Sequence, residues 1–322
     1  AVIHIDGNNM GDTIENLTEK TSNYNDAVVK IRKLSVEITN AYKKAMRSTA
    51  SQVVEGLKER NIFEQISDKK HDLPLRPVVL NGDDVTFVCN AKIGIPCVEN
   101  FLKTINKETI TIGNEQFPLS ACAGIAFVKS HFPFYIAYQL SESLCREAKI
   151  KGKIIAANSK MPMGCWFDYH IVMSGITAGS LSDTRSFHYT SPGMDKPNPL
   201  KKNIPGGLGL EYKQYNLLWR PWCISGGIGS EYEKFKWEHG LKILEEFRKW
   251  PRSKAKSLRN EFLKGKENVN TLVSEFESRA CKLPEMPDLE NKLFINRQTP
   301  YVDILEIMDL YIKLPEAGGV KI

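Results

Sequence analysis

Residues 78 to 88, V-V-L-N-G-D-D-V-T-F-V, place two adjacent carboxylates, Asp83 and Asp84, behind a glycine and between two apolar, β-branched runs. Like charges this close oppose each other's ionisation, and burial raises the cost. A bound cation removes the conflict. A third carboxylate, Asp6, ends the apolar run Ala1 to Ile5 and leads into Gly7-Asn8-Asn9-Met10-Gly11. If that strand lies beside the hairpin, three carboxylates meet at one end of adjacent strands. Hard cations such as Mg²⁺ or Mn²⁺ take a few oxygen ligands and leave other positions to water or phosphate. Two such ions roughly 3.5–4 Å apart ready a hydroxyl for attack and stabilise the leaving oxygen of an in-line phosphoryl displacement. The Gly7 carbonyl is a further candidate ligand, and the N–H groups of residues 8 to 11, at a helix start, would cradle a triphosphate. The competing reading is a surface turn whose aspartates serve turn geometry alone. The Asp-Gly at the end of a partner strand favours metal binding.

The elements that must position these groups are legible in the pattern. Ala1 to Ile5 reads as a strand, and Asp12-x-x-Glu15 resembles a capping box opening a helix. From Asn25 to about Arg60, apolar residues recur at helical steps (Val28, Ile31, Leu34, Ile38, Ala41, Ala45, Val53, Leu57). Pro74 and Pro77 precede a strand at Val78 to Leu80, Asn81-Gly82 marks a tight turn, and Val85 to Cys89 returns. A helix from Pro96 to Asn106, a strand from Leu119 to Val128, a helix from Pro133 to Lys151 and a strand from Cys165 to Met173 follow. The order gives an α/β (α+β) fold: a ferredoxin-like β-α-β-β-α-β arrangement with an extra strand, one sheet face covered by helices.

Residues 176–230 are rich in turn formers and read as a connecting flap, with one further strand at Tyr212 to Trp219. From 231 to 322 the pattern is helical, with segments at 231–250, 254–263, 269–282 and 300–314. Three regions are therefore expected: 1–175, 176–230 and 231–322.

The 322 residues suffice for one large domain or two ordinary ones, and hydrophobic residues at 42% with charged residues at 25% argue against wholesale disorder. No apolar run approaches a membrane span, and no signal-peptide layout opens the sequence. Seven scattered cysteines, none in C-x-x-C spacing, suggest neither a disulfide framework nor a zinc site. A reducing, cytoplasmic setting is expected. The net charge is +6. Between Tyr232 and Asn270, 11 Lys and Arg face 6 Asp and Glu, a segment that would contact nucleic acid or, as the interleaved signs favour, simply form solvated helix faces.

I-H-I-D-G-N-N-M-G at 3–11 and L-N-G-D-D-V-T-F-V at 80–88, with Asn81 in place of the first glycine of Gly-Gly-Asp-Asp, carry a family resemblance. A-G-I-A-F at 123–127, P-F-Y-I-A-Y-Q-L-S-E-S-L-C-R-E-A-K at 133–149, C-W-F-D-Y-H-I-V and L-L-W-R-P-W extend it to about residue 225. The sequence resembles the cyclase-type palm domain of the large subunit of type III CRISPR effector complexes, a fold shared with GGDEF diguanylate cyclases and class III adenylyl cyclases. The resemblance implies that Asp6, Asp83 and Asp84 hold two metal ions, Mg²⁺ or Mn²⁺, with the Gly7 carbonyl. It implies nucleotide contacts from Gly7, Asn8, Asn9, Gly11, Gly82, Lys149 and Lys153. Asn8 and Asn9 either touch ribose or phosphate or tolerate an unusual backbone. Lys149 either reaches the triphosphate as a compact charge or faces the helix C-terminal dipole, and the latter is preferred for Lys153.

The family makes cyclic or cyclic-oligo adenylates from ATP in antiviral defence, so ATP is the expected substrate and a downstream effector would read the product. The alternatives are another cyclase chemistry, such as a diguanylate cyclase, and a non-catalytic scaffold that binds RNA. One palm, where the large subunit has two, implies a stand-alone minimal polymerase that pairs two chains as a homodimer. His71-Asp72 lacks the second histidine pair of an HD nuclease and reads as coincidence. Ser225 to Ser230 reads as a helix-entry turn, Trp219, Trp222, Trp237 and Trp250 as core, and His4 as a packed residue.

Overall fold

The computed structural model describes residues 1–19, 21, 23–59, 73–173, 180–191, 215–279, 281–286 and 293–315. The chain forms two compact units. One comprises residues 1–175, 221–236 and 310–322; the other comprises 176–220 and 237–309. His71-Asp72 and, in the 176–230 segment, residues 176–179 and 192–214, which include the start of the strand expected at 212–219, lie outside the described residues.

The first unit is built on a six-stranded sheet in the order β10-β7-β6-β1-β3-β2. Its strands are β1 (Val2–Gly7), β2 (Leu75–Asn81), β3 (Asp84–Cys89), β6 (Ala121–Phe127), β7 (Cys165–Ile171) and β10 (Trp222–Ser225). Central β1 pairs antiparallel with β3 and with β6, while β6 and β7 run parallel. Pro77 sits on edge strand β2, where its missing N–H breaks no inner ladder. The hairpin β4 (Thr109–Ile112) and β5 (Glu115–Pro118) forms a separate two-stranded sheet that the sequence reading did not anticipate.

Helices α1 (Met10–Glu19), α2 (Tyr24–Glu59), α3 (Ala91–Ile105) and α4 (Phe134–Ser159) complete the unit. Helices cover both faces of the sheet rather than one, because all seven residues of β6 are buried. On the side of Gly124, α4 comes so close that a Cβ there would overlap the Ser141 carbonyl oxygen. On the other side, Gly94 of α3 lies within contact of Phe127, and Tyr42 of α2 stacks edge-on with Phe101 of α3.

Element limits differ from expectation in informative places. α1 starts at Met10, so Asp12 lies inside its first turn and does not cap it. α3 begins five residues before Pro96, capped by the Asn90 side chain accepting from the Lys92 N–H. Pro96 would leave the Lys92 carbonyl without its helical donor, and the Ile312 N–H donates to it at 2.9 Å instead. The turn between β2 and β3 is Gly82-Asp83 rather than Asn81-Gly82, with Asn81 paired to Asp84 and Gly82 at φ +60°.

The second unit contains α5 (Leu181–His188), α6 (Trp237–Phe247), α7 (Arg252–Lys264), α8 (Lys266–Ser278) and α9 (Pro300–Ile307), with β8 (Thr190–Ser191) paired to β9 (Tyr215–Asn216). Trp219 and Trp237 are buried in it, and Trp222 is buried in the first unit, so none of the three presents a face for base stacking.

Candidate active site at the end of the central strand

Strand alternation decides which carboxylates can meet. The β1–β3 register pairs His4 with Thr86 and Ile5 with Val85. Continued by one step, it sets Asp6 opposite Asp84, with His4 and Thr86 on the same face. The turn residue Asp83 comes next and lies against Gly7. A Cβ on Gly7 would stand 2.7 Å from Asp83 Oδ2 and 2.9 Å from Asp83 Cβ. Any larger residue at position 7 would push the turn carboxylate away.

Helix α4 supplies the other half. Tyr138, Glu142, Cys145 and Lys149 recur at steps of four, three and four, which places them on one helical face. Lys149 Nζ donates to Asp6 Oδ2 at 2.5 Å and to the Gly7 carbonyl oxygen at 2.7 Å. Tyr138 donates its hydroxyl hydrogen to Glu142 Oε1 at 2.8 Å and meets the His4 ring edge-on at 5.8 Å. His4 Nδ1 lies 3.3 Å from Thr86 Oγ1 and 3.5 Å from Asp84 Oδ1. Cys145 donates to the Cys122 carbonyl at 3.2 Å, and burial pushes its thiol up to about 12.

The electrostatics are those of a site short of positive charge. Burial raises the Asp83 carboxyl above the ordinary value; Asp6 raises it further while Lys149 opposes. Burial likewise raises Asp84, His4 opposes, and Asp6, Asp83 and Glu142 add to the rise. Asp84 Oδ1 is buried and accepts no hydrogen bond among the described residues. Tyr42 of α2 is fully buried, with no hydrogen-bond partner for its hydroxyl among the described residues; burial, then Asp83, pushes its pKa up.

A divalent ion fits this donor set. Asp6, Asp83, Asp84 and the Gly7 carbonyl offer hard oxygens, and Asp84 Oδ1, with His4 Nδ1 3.5 Å away, accepts no hydrogen bond among the described residues. The set is open rather than caged: among the described residues, no three His, Cys, Asp or Glu side chains are grouped closely enough to hold a metal ion as they stand. Lys149 holds Asp6 instead.

The remaining expected residues are distributed unevenly. Asn8 is buried, its N–H donating to the Ser120 carbonyl and its side-chain amide donating to Ser120 Oγ at 3.0 Å and the Gly164 carbonyl at 3.2 Å. It anchors the strand end. Asn9 is exposed with φ +55°, the left-handed conformation that asparagine tolerates. Gly11 stands in open space in the first turn of α1. Lys153 is exposed one turn beyond Lys149. Glu142, His4 and Tyr42 join the expected residues near the carboxylates. Glu142 was findable, because it lies two helical turns before Lys149.

Residues 1–155 match the family model described as Cas10/Cmr2, second palm domain. A search of the curated proteins returned no match. The matched segment contains β1, the hairpin and α4 through Lys149, so the likeness to the palm domain of type III CRISPR large subunits covers the strand end, the carboxylates and the lysine described above.

Proposed function

We propose that this palm is a nucleotidyltransferase that joins nucleoside triphosphates, ATP preferred, into a cyclic nucleotide or oligonucleotide with release of pyrophosphate. The observation that carries the reading is the seating of Asp83 on Gly7 beside Asp6 and Asp84, with Lys149 bridging Asp6 and the Gly7 carbonyl. Asp6, Asp83, Asp84 and the Gly7 carbonyl would hold two divalent ions, Mg²⁺ or Mn²⁺. Bound there, such ions supply the charge that eases deprotonation of a ribose hydroxyl and offsets charge on the leaving pyrophosphate.

The chain's own groups do the positioning. The first turn of α1 carries N–H groups with no intrahelical acceptor, and these suit an anionic phosphate. Asn8 keeps its N–H on Ser120, so the cradle begins after it. Lys149, held at the strand end by Asp6 and the Gly7 carbonyl, would meet a phosphate docked there. Tyr138 and His4 brace Glu142 and Asp84, which limits how far the carboxylates can spread.

Two palms are needed to present a donor and an acceptor nucleotide to each other. A second copy of this chain supplies the companion, and light scattering that finds only an active monomer would contradict this pairing. The cyclic product would be read by a separate effector. The rival, an RNA-binding scaffold, draws on the basic stretch of the second unit. There Lys249 pairs with Glu246, Arg252 with Asp309, Arg259 with Glu306 and Lys264 with Glu261, so much of its positive charge is already spent within the fold.

The test is incubation with each of the four triphosphates and Mg²⁺ or Mn²⁺, with products identified by mass. A cyclic adenylate with stoichiometric pyrophosphate is expected. Salt-sensitive RNA binding with no pyrophosphate from any triphosphate would favour the scaffold.

A further inference from the structure

We infer that Lys149 is a built-in counter-ion: its ammonium holds the place of a divalent cation on Asp6 and the Gly7 carbonyl, and must leave before metal can bind there. The inference rests on the metal-site reading above and adds a gate to it.

The geometry is that of a cation at a ligand set. An ammonium is a compact charge with three donors, able to span two oxygens as a metal ion does. Here it spans Asp6 Oδ2 at 2.5 Å and the Gly7 oxygen at 2.7 Å, the two oxygens that β1 contributes. A divalent ion on the same oxygens would stand within a few ångströms of the ammonium, where like charges repel strongly. One of the two must go.

The lysine is free to be the one that moves. Its side chain is 22% exposed and that of Asp6 41%, so water reaches the pair. The pair joins α4 to β1 at the rim, in contrast to a fully enclosed structural ion pair. The single positive charge also leaves the cluster incompletely neutralised, since Asp83, Asp84 and Glu142 remain close by. A divalent ion satisfies the set better than the ammonium does.

Displacement needs somewhere for the ammonium to go. The phosphates of a nucleoside triphosphate docked at the start of α1 provide it. Nucleotide therefore favours metal by drawing Lys149 off Asp6, and by reciprocity metal favours nucleotide. In the nucleotide-free protein the carboxylates are protected from stray divalent ions.

The probe is Mn²⁺ alone, titrated without nucleotide and followed by electron paramagnetic resonance, against the wild type, Lys149→Met and Lys149→Gln. Methionine keeps the stem without charge; glutamine keeps an N–H donor without charge. Both variants are expected to bind Mn²⁺ about tenfold more tightly than the wild type, and Mn²⁺ is expected to raise their melting temperature by more than it raises the wild type's. Equal or weaker Mn²⁺ binding by either folded variant overturns the inference alone. Absence of Mn²⁺ binding by all three proteins overturns it together with the metal-site reading.

Discussion

Among the described residues, an ionic cluster in each compact unit invites comparison, and the two are balanced in opposite ways. In the second unit, Arg220 donates its backbone N–H to Asp303 Oδ2 at 2.7 Å and its Nη1 to Glu306 Oε2 at 3.1 Å. Arg259 donates to Glu306 Oε1 at 2.8 Å, and the Tyr189 hydroxyl donates to the same carboxylate. The side chains of Arg220 and Asp303 are 0% exposed and that of Glu306 1%. Two guanidinium groups meet two carboxylates, all but one deeply buried. In the palm unit, four carboxylates share Lys149 and a histidine, and the groups are half open to water. Enclosure with matched charge serves the fold, because a buried ion must be met where it stands. Carboxylates left in excess and within reach of solvent suit the proposed metal site, where a bound cation would fill the deficit.

The strongest break of this contrast is functional. Asp83→Ala or Asp84→Ala is expected to cut cyclic-product formation at least about 10³-fold while circular dichroism stays that of the wild type. Glu306→Ala should do the reverse: it removes the carboxylate that Arg220, Arg259 and Tyr189 share, leaves the buried Arg220 and Asp303 to each other, and costs about 3–5 kcal/mol of stability by denaturant titration, with Mn²⁺ affinity of the palm unchanged. A cost below about 1 kcal/mol would place that network with ordinary surface pairs.

Next comes Gly124→Val. Its side chain would meet the Ser141 carbonyl and lift α4 from β6, costing about 1–3 kcal/mol. The change also carries Lys149 and Glu142 away from Asp6 and Asp84, so activity should fall by more than the lost stability explains. Equal losses of both would show that α4 only packs.

The smallest effect sharpens the comparison through pH. The Asp83 carboxyl is raised above 3.8, so the folded chain holds its proton more tightly than the unfolded chain does. Stability from this group therefore falls as pH rises through the interval between 3.8 and the raised value, and the ionised group is a net cost at neutral pH. Asp83→Asn should raise the metal-free melting temperature at neutral pH by roughly 1–2 °C, a gain that fades once the pH drops below the ordinary carboxylate range. A melting temperature lowered at neutral pH would contradict the assigned cause.

How far the sequence discloses all this depends on how local each signal is. The strand of Asp6 and the hairpin of Asp83 and Asp84 were readable, because β-branched runs around Asn81-Gly82 fix period and turn together. The 36-residue α2 matched its expected limits to within a residue, since its apolar stripe is long. The early start of α3 was hidden, because Pro96 is tolerated only through Ile312, more than two hundred positions away. The bracing of Asp84 by His4 was equally hidden: a lone histidine carries no signal until the β1–β3 register sets it beside Thr86. Charge balance in the second unit depends on Arg220 meeting Asp303 and Glu306 across more than eighty residues, which no spacing rule reports.

The most direct test of the central claim is anomalous diffraction from crystals grown with Mn²⁺ and a non-hydrolysable ATP analogue. The expected result is anomalous density touching Asp6, Asp83 and Asp84, with the Lys149 ammonium moved onto a phosphate oxygen. Manganese bound elsewhere, with Lys149 still on Asp6, would contradict it.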